Sequence, residues 1–266
     1  MLWEELTALD FKQAVQDTGG VCVLPLGVIE KHGNHLPLGT DMITATQVCK
    51  AAAEVEPAVV FPYYFLGQIA EARHVSGTLC GSHRLLMDAL LEMCDEIARN
   101  GFKKILIMSG HGGNGHFLPF FAQEMPRLNR SYAVYTKFVA DMRPDQRAKV
   151  IEAAKTDNLG YHAGIAETSL IMHLRPDLVK KSAQDPKEGE SMGRISDVQR
   201  NGIFTGFNWY ANFPRHFAGD HSEANPELGK LIFDIAVENT ARFIKTVKED
   251  TESLGLVNEY EGLCTH

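Results

Sequence analysis

Two carboxylates and two histidines stand close together in the segment 28–41, which reads VIEKHGNHLPLGTD. They are Glu30, His32, His35 and Asp41. Residues two apart in an extended chain project to the same side, so Glu30 and His32 are predicted to face one place. The proline and glycine of HLPLGT favour a turn that brings Asp41 back toward them. Imidazole and carboxylate groups in this arrangement form a credible half of a divalent metal site.

Further ligand-type residues follow two other segments of the chain. His111 comes directly after the apolar run KILIMSG, and YHAGIAETS (161–169) contributes His162 and Glu167. A mixture of imidazole and carboxylate without thiolate favours a catalytic metal, and this many carboxylates suit a pair of ions that share a ligand. The alternative is structural, because Asp41 could cap a helix that begins near Met42 and Glu167 could lie on a solvated helix face.

These residues need elements that bring them to one place, and the apolar runs predict such elements. Strands are predicted at 21–28, 58–65, 104–110 and 132–140. Between the second and third runs, Ser82 is placed to cap a helix that Gly101 would terminate. Strands that alternate with helices predict an α/β fold with a mainly parallel sheet. Ligand sites of such sheets lie outside the carboxyl ends of the strands, which is where the half-site and His111 fall.

The later part of the chain departs from this alternation. The segment 182–221 is rich in glycine, asparagine and aromatic residues and has little helical periodicity. It predicts a hairpin or a long loop over one end of the sheet, where it could form a pocket wall. A long helix is predicted over about 225–248, followed by a loosely held polar tail.

Length and composition narrow the classes of protein that fit. The chain has 266 residues, 44% of them hydrophobic, which predicts one domain over 1–266 with a sizeable core. A formal charge of −8 without a cluster of lysine and arginine argues against nucleic-acid binding. The apolar run 21–29 is too short to cross a bilayer, and the residues before it do not resemble a signal peptide. A cytoplasmic protein is therefore predicted.

The turn GHGGNG (110–115) also fits a dinucleotide-binding pattern. Its glycines Gly110, Gly112 and Gly115 follow a predicted strand and precede a predicted helix, with Asp141 after the next strand. A nicotinamide site, however, has no use for His111 in this turn. The other interpretation is that the glycines let the backbone pass close to a site at which the His111 ring points.

Four stretches together resemble the creatininase family, the creatinine amidohydrolases and their relatives. They are GVIEKHGNHLPLGTD, SGHGGNG, HAGIAETS and GDHSEANPELGK, and the similarity extends over residues 21 to about 230. The resemblance implies a three-layer α/β/α domain with a mainly parallel central sheet and a two-metal hydrolytic site. It also implies a homo-oligomer, usually a hexamer, with two divalent ions per chain, such as zinc, manganese or iron.

The resemblance also implies roles for individual residues. Glu30 and His111 would bind one metal ion, His32 the other, and Asp41 would bridge the two. Creatininase proper carries a glutamate ligand of the second ion where this chain has Gly113, so Glu167 is the candidate for that ligand.

The surroundings of the HAG motif differ from those in creatininase proper, where tryptophan flanks the motif. This chain has Tyr161 and Ile165 there, which argues against creatinine itself as the substrate.

The predicted chemistry is hydrolysis of a C–N bond in a small cyclic amide or formamide. A water between two ions would attack a carbonyl carbon, and His162 would deliver a proton to the leaving nitrogen, with Glu167 as a second catalytic group. Asn114 and Tyr161 are predicted to bind substrate, although Asn114 could instead cap a helix. His35 is predicted to support a metal ligand. A nicotinamide-dependent oxidoreductase and a non-catalytic, metal-stabilised binder of small molecules are the alternatives.

Overall fold

The computed structural model describes residues 1–264 and contains a parallel sheet of four strands. The strands are β1 (Val21–Leu26), β2 (Val59–Val60), β3 (Lys104–Ser109) and β4 (Ala133–Phe138). Their order is β2-β1-β3-β4, and every neighbouring pair is parallel. Leu26 pairs with Ser109 and Ser109 with Phe138, so three strands end at one edge. The loops that carry the predicted ligands leave the sheet from this edge.

Ten α-helices lie within the described residues. They are α1 (Ala8–Asp17), α2 (Thr40–Val55), α3 (His83–Arg99), α4 (Asn114–Glu124), α5 (Pro144–Ala154), α6 (Ile165–Leu174), α7 (Ser196–Arg200), α8 (Asn208–Asn212), α9 (Pro226–Glu249) and α10 (Glu252–Cys264). The predicted ends of α3 are confirmed, since Ser82 accepts a hydrogen bond from Leu85 N and Gly101 has φ +106°. The predicted long helix is α9, which Asn225 caps by accepting from Leu228 N.

The helices cover both faces of the sheet, which confirms the three-layer α/β/α prediction. On one face, the alternate side chains of β1 and β3, such as Leu24 and Ile105, pack with α1, α3 and α4. On the other face, Val23 and Leu106 pack with α2 and α9. Strands that are buried on both sides have apolar residues at almost every position, which is why the runs 21–26 and 104–109 are nearly continuous.

Three predictions of local structure need correction. The predicted strand 58–65 is reduced to β2, because Pro62 has no N–H for a ladder, and only an isolated bridge at Tyr64 continues the pairing. The hairpin alternative for 182–221 is wrong, since this segment forms α7, α8 and short 3-10 turns joined by loops. The polar tail forms α10.

No helix within residues 1–264 has the length and apolar character that a membrane span requires.

Two glycines at the ends of β1 and β3 let the first turn of α2 approach the sheet. A Cβ on Gly110 would lie 2.3 Å from the carbonyl oxygen of Asp41, and one on Gly27 would lie 2.5 Å from Met42 N. No other residue fits these positions without a shift of backbone. The glycine of the nucleotide-like pattern therefore serves helix packing here, and the packing brings Asp41 to the edge of the sheet.

Candidate metal centre

The loop after β1 and the start of α2 form one half of the site. Glu30 and His32 are fully buried, and Asp41, in the first turn of α2, is 2% exposed. The Nδ1–H of His32 faces the carbonyl oxygen of Glu30 at 3.3 Å, which leaves Nε2 as the free ligand atom. His32 Nε2 lies 3.0 Å from Asp41 Oδ1. The turn through 36–39 thus brings Asp41 back to His32, as the sequence predicts.

The other half comes from the loop after β3 and from α6. His111 Nδ1 lies 2.7 Å from Glu30 Oε1 and 3.1 Å from Asp41 Oδ2. Glu167 Oε2 lies 3.8 Å from His32 Nε2. The structure therefore brings together all five residues that the sequence nominates as ligands, although they come from three separate parts of the chain.

The ligand atoms converge in the way that metal coordination requires. Glu30, Asp41 and His111 form one group whose ligand atoms lie within 4.8 Å of one another, and His32, Asp41 and Glu167 form a second. Glu30 Oε1 and Asp41 Oδ2 are buried and have no hydrogen-bond partner among residues 1–264, although His111 Nδ1 is close to both. Buried oxygens that face a nitrogen without a hydrogen bond are costly unless a cation lies between them. The donor set fits two divalent ions.

The buried carboxylates of this pocket are balanced by protonated histidines. Burial opposes ionisation of Glu30, but the charge of His111 and the hydrogen bond from His216 hold its pKa well below the usual range. Burial also opposes the charged form of His32, yet Asp41 outweighs it and raises the pKa of His32 to about 10. The pKa of His111 is likewise well above its usual value, against the effect of burial, because of Glu30 and Asp41. A metal ion that binds here must displace protons from these histidines.

His162 lies against His32 but has a different protonation state. The two rings stack with centroids 4.2 Å apart, and His162 Nε2 lies 2.7 Å from the carbonyl oxygen of Lys31. That carbonyl can only accept, so Nε2 carries the proton and Nδ1 is left with a lone pair. Burial and the neighbouring His32 hold the pKa of His162 well below its usual value. His162 is therefore neutral in this arrangement.

Glu167 is held by the turn that precedes α6. Its Oε2 accepts a hydrogen bond of 2.5 Å from the backbone N–H of Ala163, a residue with φ +55°. Burial raises the pKa of Glu167 to about 7, against the attraction of His32. The side chain remains 32% exposed, so it stands at the boundary between the buried ligands and solvent.

His216 belongs to the site and is not among the residues predicted from sequence. Its Nε2 contacts Glu30 Oε2, and its Nδ1 accepts a hydrogen bond of 2.9 Å from the indole N–H of Trp209. Because Trp209 can only donate, the proton of neutral His216 is on Nε2 and points at Glu30. Trp209 thus orients His216, which in turn orients the Glu30 carboxylate. The only sequence signal is the aromatic character of 182–221, which predicts a pocket wall but no particular residue.

Comparison with known proteins assigns the chain to a family. The sequence model of the Creatininase family, described as creatinine amidohydrolase, matches residues 4–244. The chain belongs to the creatininase family. This confirms the family that the motifs predict, and hydrolysis of amide C–N bonds is the enzyme class of that family.

Relatives of the creatininase family extend over most of this chain. Creatinine amidohydrolase from Pseudomonas putida is 29% identical over 192 residues, a match that covers 66% of this chain and 72% of the relative. The mycofactocin precursor peptide peptidase of Mycobacterium tuberculosis (strain ATCC 25618 / H37Rv) is 29% identical over 240 residues, or 83% and 82% of the two chains. Their names specify creatinine in one case and a precursor peptide in the other, so the family includes more than one class of substrate.

The fold of the creatininase family is also evident from a solved structure. A Zn–Zn form of a creatininase variant superposes with a TM-score of 0.73 at 22% identity, covering 94% of this chain and 98% of that chain. At this identity the likeness concerns the fold, and it agrees with the three-layer architecture.

The two residues predicted to bind substrate, Asn114 and Tyr161, differ in their exposure to solvent. Asn114 is buried at the start of α4, where its Oδ1 accepts from Gln68 N at 2.9 Å and its Nδ2 donates to Ser109 Oγ at 3.1 Å. Its amide therefore joins two loops of the site. Tyr161 is 83% exposed. Substrate contacts of either residue stay predictions.

His35 contacts the turn before α6 through the hydroxyl of Thr168. Its Nε2 lies 2.9 Å from Thr168 Oγ1, and that hydroxyl donates to the carbonyl oxygen of Ala163 at 3.1 Å. His35 thus steadies the turn that holds Glu167, in the supporting role that the sequence predicts. Burial and the stacked ring of His221, 4.2 Å away, lower the pKa of His35 to about 3.

The lowered pKa of His35 predicts a pH dependence of stability. Between about pH 3 and 6.5 the unfolded chain binds a proton at this position that the folded protein does not, so stability falls as the pH falls through this window. In His35→Asn, the slope of unfolding free energy against pH should decrease by about one proton, or ~1.4 kcal/mol per pH unit. Urea unfolding at several pH values measures the slope. Parallel curves for the two proteins would contradict the prediction.

Proposed function

We propose that the chain is a two-metal amidohydrolase that cleaves a C–N bond of an amide substrate. The observation that carries this proposal is the position of Asp41 between two ligand sets. Its Oδ1 lies 3.0 Å from His32 Nε2 and its Oδ2 lies 3.1 Å from His111 Nδ1. One carboxylate that presents its two oxygens to different ligand groups is suited to bridge two ions.

In this proposal five side chains hold the ions. Glu30, Asp41 and His111 hold one, and His32, Asp41 and Glu167 hold the other. Divalent ions of the zinc, manganese or iron type, when bound, supply Lewis-acid polarisation of the amide carbonyl and acidify water. His216 and Trp209 keep Glu30 in its ligand orientation, and the Ala163 N–H does the same for Glu167.

Proton transfer is assigned to His162. Its Nδ1 lone pair can accept a proton from the attacking water, while its Nε2–H remains bonded to the carbonyl oxygen of Lys31. The low pKa of His162 makes the protonated ring a strong acid, which favours delivery of that proton to the leaving nitrogen. Glu167, with a pKa near 7 and partial exposure, is the second group of the site that can carry a proton.

The substrate we propose is a small cyclic amide or a formamide, as the sequence predicts. A peptide amide is the second candidate, because the relative that matches 83% of this chain is named as a peptide peptidase.

The proposal also includes one domain over residues 1–266, a homo-oligomeric assembly with a hexamer as the expected form, and a cytoplasmic location. Each of these stays a prediction that rests on composition or on the motifs.

The direct test is metal content. Protein purified without chelator should contain about two divalent ions per chain and hydrolyse an amide, and chelation should remove both properties together. Elemental analysis before and after reconstitution with zinc or manganese gives the stoichiometry. No bound ion after reconstitution would refute the proposal. Two ions without turnover on any amide would favour a metal-stabilised binder, and a copurifying nicotinamide absorbance would favour an oxidoreductase.

A further inference from the structure

A cavity of about 560 Å³ lies beside the metal centre, between α4 and the segment 204–209, which ends in the first residues of α8. Most of its wall is apolar or aromatic, with Met87, Phe117, Phe120, Phe204 and Trp209. Trp209 is the residue that holds His216 against Glu30, so the aromatic wall is continuous with the ligand set. An apolar cavity with a few convergent polar groups is typical of a site for a small ligand.

Glu71 is the only acidic residue among the described residues that line this cavity. Gln68 donates from Nε2 to Glu71 Oε2 at 2.9 Å, and the backbone N–H of Gln68 is bonded to Asn114 Oδ1 at 2.9 Å. The carboxylate is therefore fixed to the start of α4 by neutral groups. Within residues 1–264, no cationic side chain forms an ion pair with it.

The other oxygen of Glu71, Oε1, lies close to Gly113, and only a glycine permits this close approach. A Cβ on Gly113 would lie 2.9 Å from Glu71 Oε1 and 2.3 Å from His111 Nε2. His111 Nε2 is buried and lacks a hydrogen-bond partner in the described part of the chain. The glycine therefore lets Glu71 and the His111 ring pack against the same short stretch of backbone at the edge of the cavity.

We infer that Glu71 and the aromatic cavity form a subsite for a substrate with a cationic nitrogen on an apolar, aromatic body. Glu71 Oε1 accepts hydrogen bonds from the ammonium or amidinium group, in a contact that charge strengthens. The rings of Phe204 and Trp209 contact the apolar body and favour a nearby cation. The inference rests on the proposed function, because the subsite would hold the substrate of that reaction.

Two probes of similar shape test the charge requirement. Phenethylamine is a cation near neutral pH, and 2-phenylethanol is its neutral counterpart. Ligand-observed NMR titrations should show phenethylamine binding the protein at least about tenfold more tightly than the alcohol. Glu71→Gln keeps the size of the side chain and should remove this preference, leaving the affinity for the alcohol within about twofold. Glu92→Gln, an exposed residue of α3 outside the cavity, is the matched control and should bind as the unaltered protein does.

The outcomes separate this inference from the proposed function. Equal affinity of the unaltered protein for the two probes would overturn it. If Glu71→Gln lost affinity for both probes, Glu71 would have a structural role and the inference would be wrong. If Glu71→Gln lost a metal ion, Glu71 would be a metal ligand, and the inference would again be wrong. The titrations are repeated after chelation, because the subsite does not need bound ions. Protein that binds the cation but contains no metal and hydrolyses no amide would refute the proposed function and leave the subsite standing.

Discussion

Asp41→Ala is expected to release both metal ions and to lower amide hydrolysis by roughly 10³-fold or more. The carboxylate faces His32 with one oxygen and His111 with the other, so its removal takes one ligand from each set. Each ion would keep only two protein side chains, Glu30 with His111 or His32 with Glu167. Elemental analysis of dialysed protein, together with the rate of hydrolysis, measures the effect.

The control for this variant is Asp145→Ala. Asp145 also lies in the first turn of a helix, α5, but its side chain is 62% exposed and distant in sequence from the site. It should retain both ions. Asp41→Asn provides a second test, because it keeps the shape of the buried side chain while losing charge. Circular dichroism establishes that each variant is folded. A variant at position 41 that keeps one ion at full occupancy would show that Asp41 does not bridge.

Glu167→Gln is expected to empty one metal position and to lower hydrolysis by roughly 10²–10⁴-fold. Glu167 is the third member of the group formed with His32 and Asp41, and Gly113 supplies no side chain to replace it. The amide oxygen of glutamine can still accept from the Ala163 N–H, so the turn before α6 should persist. The ion held by Glu30, Asp41 and His111 should remain.

Metal occupancy in a crystal of Glu167→Gln gives the decisive measurement, because it identifies which position is empty. Glu152→Gln makes the same chemical change on the exposed surface of α5 and should leave two ions in place. Two fully occupied positions in Glu167→Gln would mean that this residue is not a ligand. A loss of activity with both ions retained would instead assign it to proton transfer, for which its pKa of about 7 is suited.

Much of the fold, and a set of candidate ligands that converges in the structure, could be predicted because the signals are local. The apolar runs of β1 and β3 reflect burial on both faces, and Ser82 and Gly101 mark the ends of α3. The strand predicted at 58–65 is longer than β2, because the apolar character of this run continues through Pro62 whereas the hydrogen-bond ladder does not. Parallel strands that end together bring the loops after β1 and β3 to one edge, so the motifs on those loops indicate a common site.

The sequence by itself determined which residue types stand at the ends of the strands, and with them the family and the candidate ligands. Only the tertiary structure decided how those ligands are supported and what lies beside them. Glu30 and His216 are separated by 186 positions, and Gln68 and Asn114 by 46. Backbone preference and side-chain alternation act over a few residues, whereas these contacts depend on how helices and loops pack across the sheet. The partner of Glu30 and the place of Glu71 in the wall of the aromatic cavity therefore became visible only in the folded chain.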